Sequence, residues 1–488
     1  MPGVVVNTGV RVGGTGAETA PSSTLFVVGT AERGRLTAYT VRSMTEFETE
    51  YGDYAGDANL HQNLQVFFEE GGIRAVIARV VGATPTKGTL ALSDASSGLT
   101  MTLTPAGFGS WSSNLQAVVT NNSTAFDLTL NLKGARIFSG TFATSAAAIS
   151  AIAAQIPHLV VATAGASSLL PATVSASLSA GTSDLNNATN TEYIAALAQF
   201  GEELGTGAVA MPGKNGAAIW TALRDHAQAN KRVALASFVS SASYSAAITS
   251  ASSYQGSTTA EKNANSHIAF YWPQITVPDG TGGSRMLTPE AYVAAVRARQ
   301  IIATGGPWKA AAGVASAARF ITNLESNGGA TRVSKTIGNA LDEGRVNALR
   351  IIDGQIRIYG ARSASGDNVN WRYITYRDSV NQISTRCEQS LEQFVFSSID
   401  TRNTLFGSVS SALVSVLEEV KNNGGLYAMV DGLGNEIDRG YSVEVSDALN
   451  PIANLATGQV VARLGVRVAG VADLITLTVT KSSLTATL

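Results

Sequence analysis

The sequence predicts a multidomain protein of mixed α/β and α+β fold. Its 488 residues exceed what one hydrophobic core normally serves, and 45% of them are hydrophobic. Apolar residues recur at helical spacing in some segments and in strict alternation in others, which indicates interleaved helices and strands. From about residue 85 to residue 185 the chain turns to Ser, Thr, Gly and Ala with short alternating runs, which predicts a separate β-rich domain.

The segment before this β-rich stretch has an α/β pattern. An apolar strand is predicted at Leu25 to Val28, and a second strand near Leu36 to Val41. Ser43 and Glu46 have the spacing of a capping box, which predicts that a short helix begins there. A longer amphipathic helix follows and ends at two glycines, after which a strand is predicted at Ile73 to Val81.

Helical and strand patterns alternate again after the β-rich stretch. The predicted helices are 191–204, 217–229, 288–303, 378–394 and 404–422, and the predicted strands include 208–211, 233–238, 441–445 and 459–468. Thr288 is the predicted N-cap of the third of these helices, with Pro289 in its first turn. The alternation predicts a second α/β unit, whose expected range is residues 191–345.

The low content of charged residues limits the classes of partner that the protein can bind. Charged residues make up 14% of the chain, against about 25% in a typical soluble domain. Either Ser, Thr, Gly and Asn supply the surface, or partners cover much of it. The net charge of -2, without a basic stripe, predicts no direct contact with nucleic acid.

The cysteine content fits assembly in a reducing cytoplasm, and the lengths of the apolar runs predict no membrane insertion. Cys387 is the single cysteine, which excludes an intrachain disulfide and a cysteine-based zinc site. The amino terminus has no secretory-signal pattern. No run reaches the roughly 18 to 20 apolar residues that cross a bilayer.

The sequence contains no motif that predicts chemistry. HExxH, GxSxG and GxxxxGK[S/T] do not occur. The nearest approach is residues 212–216, Pro-Gly-Lys-Asn-Gly, which we interpret as a β-to-α turn, with an anion site at the helix terminus as the alternative. The four histidines are widely spaced in sequence and lack carboxylates at metal-ligand spacing: His61, His158, His226 and His267. We therefore predict no catalytic residue, no metal site and no cofactor.

Both ends of the chain are apolar, β-prone segments on short tethers. The residues concerned are Gly3, Val4, Val5, Val6, Val10 and Val12 at one end, and Leu474, Ile475, Leu477 and Val479 at the other. A lone strand needs a sheet to satisfy its backbone and cover its side chains. Burying each apolar side chain contributes about 1.5–3 kcal/mol, against about 1–2 kcal/mol per residue for ordering the backbone.

Two interpretations of these terminal strands stay open. Each strand either folds back onto its own domain as an edge strand, or adds to a sheet of a neighbouring subunit. In the second case each joint is individually weak, but many joints along a polymer hold it together while the tethers let subunits reorient.

A charged cluster marks the end of the predicted helix at 404–422. Glu418, Glu419 and Lys421 lie there together. The cluster is either a solvated helix face or a contact with a charged partner.

Several segments together resemble the contractile tail sheath family. In family order they are Pro2–Val4, Thr24–Gly34, Phe67–Gly72, Ala78–Val80, Gly109–Asn114, Thr304–Gly313, Tyr359–Ser363 and Trp371–Arg377. The resemblance covers most of the chain apart from parts of the Ser/Thr-rich stretch. The chain departs from the family pattern at Ser398-Ile399-Asp400, where members often have Glu-Pro-Asn.

The resemblance implies hexameric rings stacked around an inner tube, linked by terminal arms and storing the energy of contraction at assembly. It implies an inner α/β domain built from both chain ends, with the middle of the chain inserted outward. The expected divisions are an arm and linker at 1–24, inner-domain parts at 25–84 and 346–470, an outer β-rich domain at 85–190, the α/β unit at 191–345 and a carboxyl-terminal strand arm at 471–488.

The same resemblance implies the partners. They are further copies of the chain, a tail tube protein, and baseplate and tail terminator proteins. The expected location is a virion tail assembled in the host cytoplasm, and Glu418, Glu419 and Lys421 are the candidate tube contact. Two other hypotheses remain: an enzyme that uses the α/β unit near residues 205–275, and a non-contractile surface or adhesion protein.

Overall fold

The structure is a computed structural model that describes residues 22–56, 59–279, 282–325, 333–399 and 404–473. The residues assigned above to the terminal strands lie outside these ranges.

The elements alternate along the chain as the sequence predicts. The helices of the described residues are α1 (Met44–Tyr51), α2 (Leu60–Glu69), α3 (Ser145–Gln155), α4 (Asn190–Ala196), α5 (Ala217–Ala229), α6 (Tyr244–Ser252), α7 (Thr259–Asn265), α8 (Glu290–Thr304), α9 (Lys335–Glu343), α10 (Ile374–Leu391), α11 (Thr404–Asn422) and α12 (Ile452–Ala456). The strands are β1 (Leu25–Gly29), β2 (Tyr39–Val41), β3 (Ala75–Arg79), β4 (Leu90–Ser93), β5 (Leu99–Pro105), β6 (Leu115–Asn121), β7 (Phe126–Leu132), β8 (Ala135–Phe142), β9 (Val160–Ala164), β10 (Val174–Ser177), β11 (Ala208–Ala210), β12 (Val233–Ser237), β13 (Ile268–Trp272), β14 (Ile275–Pro278), β15 (Ser284–Leu287), β16 (Asn323–Leu324), β17 (Val346–Ile352), β18 (Gln355–Tyr359), β19 (Met429–Val430), β20 (Glu436–Asp438), β21 (Tyr441–Glu444) and β22 (Arg463–Val466).

A sheet in the order β18-β17-β13-β12-β11-β1-β3-β2 is the centre of the fold. Its strands are parallel from β3 to β17, and the edge strands β2 and β18 are antiparallel to their neighbours. Every residue of β1, β3, β12 and β13 is buried, as expected for parallel strands covered on both faces. Helices α1, α2 and α8 cover one face, and α4, α5, α6 and α9 cover the other.

This sheet joins parts of the chain that the sequence patterns divide between two α/β units. Leu25 of β1 lies beside Ala75 on one side and beside Ala208 on the other. The predicted unit at 191–345 therefore continues the sheet begun at 25–84. Local periodicity identifies strands but contains no information about which strands pair, so the sequence could not reveal this continuity.

Residues 90–177 contain the β-rich part. Its strands form two antiparallel sheets, β4-β5-β9 and β10-β6-β7-β8. Alternate residues of β7 are buried, and α3 packs into the same core. The chain enters and leaves this part at adjacent positions, because the Gly82 amide donates to the Ser183 carbonyl at 2.9 Å.

The amino-terminal ends of α1 and α8 show how local hydrogen bonds decide where a helix begins. The Ser43 hydroxyl accepts from the Glu46 amide at 3.2 Å, as predicted, while the Glu46 carboxylate accepts from the amide of Arg42 rather than from that of Ser43. The predicted N-cap Thr288 is wrong by one residue, because Pro289 is the N-cap of α8. The Thr288 hydroxyl instead accepts from the Gly213 amide at 2.9 Å.

The carboxyl-terminal part begins with the helix pair α10 and α11. Ile383 and Cys387 of α10 pack in one apolar cluster with Leu413 and Leu417 of α11. Helix α10 begins at Ile374, four residues before the predicted start. The chain then forms two small sheets, β19-β20 and β21-β22. Within the described ranges, no helix combines the length and apolarity needed to cross a membrane.

Candidate assembly interface

Each of the two small carboxyl-terminal sheets has strand edges without a partner strand among the residues that the structure describes. In the described part of the chain each of these sheets has only two strands. A two-stranded sheet is at best marginally stable in water, and its outer edges carry backbone donors and acceptors that can pair with a further strand. These edges are the part of the structure most suited to strand addition.

Asn450 holds the long connection between β21 and β22. This residue is 2% exposed. Its amide nitrogen donates to the carbonyls of Ser446 at 2.9 Å and Val461 at 3.0 Å, and its amide oxygen accepts from the Val461 amide at 2.6 Å. The sequence analysis missed this role, although the Asn450-Pro451 dipeptide is a turn signal.

The β19-β20 hairpin presents apolar side chains to solvent. Leu433 at its tip is 90% exposed and Ile437 is 69% exposed. The Asp431 carboxylate holds the tip by accepting from the amides of Leu433 at 2.9 Å and Asn435 at 2.8 Å. The Asn435 side chain and these backbone donors lower the pKa of Asp431. The exposed apolar side chains thus stand on a turn with a defined conformation.

The charged cluster predicted at the end of α11 is assembled, and its members pair within the chain. Lys421 Nζ lies 2.5 Å from Glu436 Oε2 on β20. The Tyr441 hydroxyl donates to Glu418 at 2.5 Å, and Glu419 pairs with Arg386 on α10. The Tyr441 hydrogen bond lowers the pKa of Glu418, and the Glu436 hydrogen bond raises the pKa of Lys421. The cluster therefore connects α11 to the hairpin and to α10.

The described ends of the chain reach this part of the structure. The Ser22 hydroxyl donates to Gln382 of α10 at 3.0 Å. At the other end, the Val471 amide donates to the Tyr376 hydroxyl of α10 at 3.3 Å. Sequence reasoning did not find these contacts, because they join residues that are 360 and 95 positions apart in the chain.

The crevice where an enzyme of this architecture would hold its ligand is filled. Ligands of open α/β sheets bind at the carboxyl ends of strands where the strand order reverses, which here is between β1 and β11. Asn59 occupies this position: its amide nitrogen donates to the Pro212 carbonyl at 2.7 Å, and its amide oxygen accepts from the Thr30 amide at 2.9 Å. The Gly213 amide is bonded to Thr288.

Residues 212–216 form the connection from β11 to α5, as the turn interpretation predicts. Lys214 Nζ, the cation that would face a phosphate, lies 4.1 Å from the centre of the Tyr193 ring. The segment is therefore a turn in which the Gly213 amide and the Lys214 side chain have partners within the chain.

Three of the four histidines have structural partners. His226 Nε2 lies 2.9 Å from Arg232 Nη1, and His267 Nδ1 lies 3.0 Å from the Arg232 carbonyl. Burial lowers the pKa of both histidines to about 4. His61 lies 3.3 Å from Glu48. Among the described residues, no group of three His, Cys, Asp or Glu is placed to hold a metal ion.

The fold is that of an α/β protein with several sheets. No protein-family model and no curated protein sequence matches the chain. The sheath tail protein of Desulfitobacterium hafniense is similar in structure, with a TM-score of 0.59 at 15% identity over 91% of this chain and 93% of that chain. The sheath tail protein of Listeria innocua gives 0.60 at 14% identity over 88% and 90%.

The same fold occurs in the helical sheath of the anti-feeding prophage in its contracted state. The TM-score is 0.54 at 15% identity, over 98% of this chain and 100% of that chain. The chain therefore has the fold of contractile sheath proteins, which confirms the resemblance to that family at the level of the fold. The similar proteins are sheath and baseplate structures rather than enzymes.

Proposed function

We propose that this chain is the structural subunit of a contractile tail sheath. The observation that supports this proposal most strongly is the fold, which the chain shares with sheath proteins over 88% to 98% of its length. In this role the subunit polymerises around a tail tube, and contraction drives the tube through the envelope of a target cell. The subunit is not an enzyme and uses no cofactor.

The proposed inner domain contains residues 25–84 and 346–470, with 191–345 completing the main sheet and 85–190 inserted outward. Adjacent entry and exit segments support the insertion, because Gly82 and Ser183 are hydrogen-bonded. A domain joined through neighbouring segments leaves the parent sheet intact.

The proposed joints between subunits are the terminal arms at 1–24 and 471–488. Each arm adds a strand to an open edge of the β21-β22 sheet in another copy. The added strand satisfies backbone groups of both partners and buries its alternate apolar side chains, notably Leu474, Ile475, Leu477 and Val479. Arms of this kind keep copies connected while their rigid bodies rotate.

The proposed partners follow from this assembly. They are further copies in stacked hexameric rings, the tube protein, and baseplate and terminator proteins, with no direct nucleic acid and no membrane insertion. Glu418, Glu419 and Lys421 remain the proposed tube contact. Their exposed intrachain pairs support this proposal, since exposed ion pairs contribute little stability and exchange partners readily.

The energy of contraction is stored in the packing of subunits. Two packings of the same rigid bodies form a two-state system, and release at the baseplate permits passage to the more stable one. The assembly forms in the host cytoplasm and is located in a virion tail or related particle.

Electron microscopy of the purified protein tests this function. The full chain is expected to form ordered cylinders, and a variant lacking residues 471–488 is expected to keep its circular dichroism spectrum but form none. A full chain that stays monomeric at high concentration contradicts a sheath role. Cylinders from the truncated chain contradict the carboxyl-terminal arm as the joint.

A further inference from the structure

Both described ends of the chain contact α10 or its N-cap residue Tyr373. Ser22, the residue with which the described structure begins, is bonded to Gln382 of this helix. Asp473, at the other end, accepts from the hydroxyl of Tyr373, the N-cap residue of α10. These contacts fix the positions of residues 22 and 473, the first and last residues that the structure describes.

A buried ion pair forms the anchor of the amino-terminal segment. Arg297 of α8 donates to both carboxylate oxygens of Asp378 of α10, at 2.6 and 2.7 Å. A further nitrogen of Arg297 donates to the Ser22 carbonyl. Because a buried guanidinium is stable only when its donors are bonded, the Ser22 carbonyl belongs to this site. Residues 22 to 24 are all buried, with at most 5% of each residue's surface exposed.

A cluster around one carboxylate forms the anchor of the carboxyl-terminal segment. Asp473 accepts from Arg372 at 2.8 Å and from the Tyr373 hydroxyl, and it lies 3.4 Å from Arg362. Two residues earlier, the Val471 amide donates to the Tyr376 hydroxyl. Hydrogen bonds to an ionised carboxylate are stronger than neutral ones, so Asp473 is the main contact of this anchor.

We propose that α10 is the common anchor of the two terminal arms, with Asp378 as the positioning residue of one arm and Asp473 as that of the other. This inference rests on the proposed function, in which the arms link copies. Tyr376 and Gln382 are six positions apart, about 9 Å along a helix. A pull on either arm therefore acts on the same helix.

The attachment of both arms to α10 determines which parts of the subunit a moving neighbour pulls on during contraction. When a neighbouring copy moves, a pull on the carboxyl-terminal arm reaches α10 through Tyr376, and a pull on the amino-terminal arm reaches α10, α8 and the strand β1, which begins three residues after Ser22. The body then moves as a unit.

The test compares Asp473→Asn with a matched control, Asp353→Asn. Asp353 is an exposed residue of the β17-β18 turn at φ 51°, a conformation that Asn tolerates. Hydrogen exchange of the Val471 amide reports the anchor in the unassembled protein. The protein concentration at which cylinders form reports the strength of the joint between copies.

For Asp473→Asn we expect Val471 to exchange at least about ten-fold faster and cylinders to need an about ten-fold higher protein concentration, as loss of a charged hydrogen bond implies. The control is expected to match the unaltered chain in both measurements. Unchanged exchange in Asp473→Asn overturns the anchor. Faster exchange with unchanged cylinder formation overturns its role in assembly.

A second variant tests the amino-terminal anchor without breaking the buried ion pair. Gln382→Leu removes only the partner of the Ser22 hydroxyl, and the peptide that begins at Ser22 is expected to exchange faster. Failure of the proposed function gives a different result, because the unaltered full chain would then form no cylinders while Asp473→Asn still loosened Val471.

Discussion

The Ser237 hydroxyl at the end of β12 donates to the carboxylate of Glu290 at the start of α8, over 2.5 Å. Glu290 is 1% exposed, and its second oxygen has no hydrogen-bond partner in the described structure. Burial raises the pKa of Glu290 to about 7. This carboxyl is therefore a site where protonation stabilises the fold.

We predict that Glu290 makes stability depend on pH. The folded-state pKa lies above the unfolded one, so the folded state binds the proton more tightly, and this stabilisation is lost as pH rises from about 4.5 to about 7. Glu290→Gln should be the more stable variant at pH 8 by about 3 kcal/mol, with the difference shrinking on acidification. Urea unfolding at several pH values measures it. A difference that does not vary with pH contradicts the prediction.

Breaking the buried Arg297–Asp378 pair should destabilise the body strongly. Asp378→Asn leaves the Arg297 guanidinium buried without its anion, which should lower the free energy of unfolding by about 3–5 kcal/mol. The double variant Arg297→Met with Asp378→Leu should recover part of the loss, because it leaves no charge. Denaturant unfolding of the three proteins checks this, and equal losses in the single and double variants would refute it.

Cys387 should be inert in the folded protein. It is 4% exposed between α10 and α11, and burial raises the pKa of its thiol to about 11. Because the thiolate is the reactive form, labelling with iodoacetamide at pH 8 should be at least about a hundred-fold slower than for an exposed cysteine. Labelling in 8 M urea, at about the rate of a free thiol, is the control. Rapid labelling of the native chain would show that the helix pair opens.

Asn450→Ala should loosen the β21-β22 sheet more than the rest of the molecule. The substitution leaves the Val461 amide without its acceptor, a cost of about 1–3 kcal/mol. We expect faster hydrogen exchange in 441–466, unchanged exchange in the main sheet, and fewer cylinders. Asn454→Ala, on the nearby helix α12, serves as the control. Uniform loosening of the whole chain would contradict a local role.

Sequence reasoning found the elements where neighbouring residues decide the structure. The strand at Leu25 and the helix at Ala217–Ala229 follow from the apolar pattern alone, and Ser43 caps its helix as predicted. The sheet order did not follow, because Leu25 pairs with Ala208 across 183 positions of chain and no local signal records that pairing.

The same reasoning predicted only part of the candidate interface. The grouping of Glu418, Glu419 and Lys421 follows from helical spacing, but their partners Tyr441, Arg386 and Glu436 come from elements whose packing the sequence does not specify. The anchors at Ser22 and Asp473 were missed for this reason. Each depends on α10 meeting a distant end of the chain.

A structure of the assembled cylinder by electron cryo-microscopy tests the central claim most directly. The account predicts residues 474–480 as a strand beside β21 or β22 of a different copy. Termini that all pair within their own subunit, with no strand shared between copies, would contradict it.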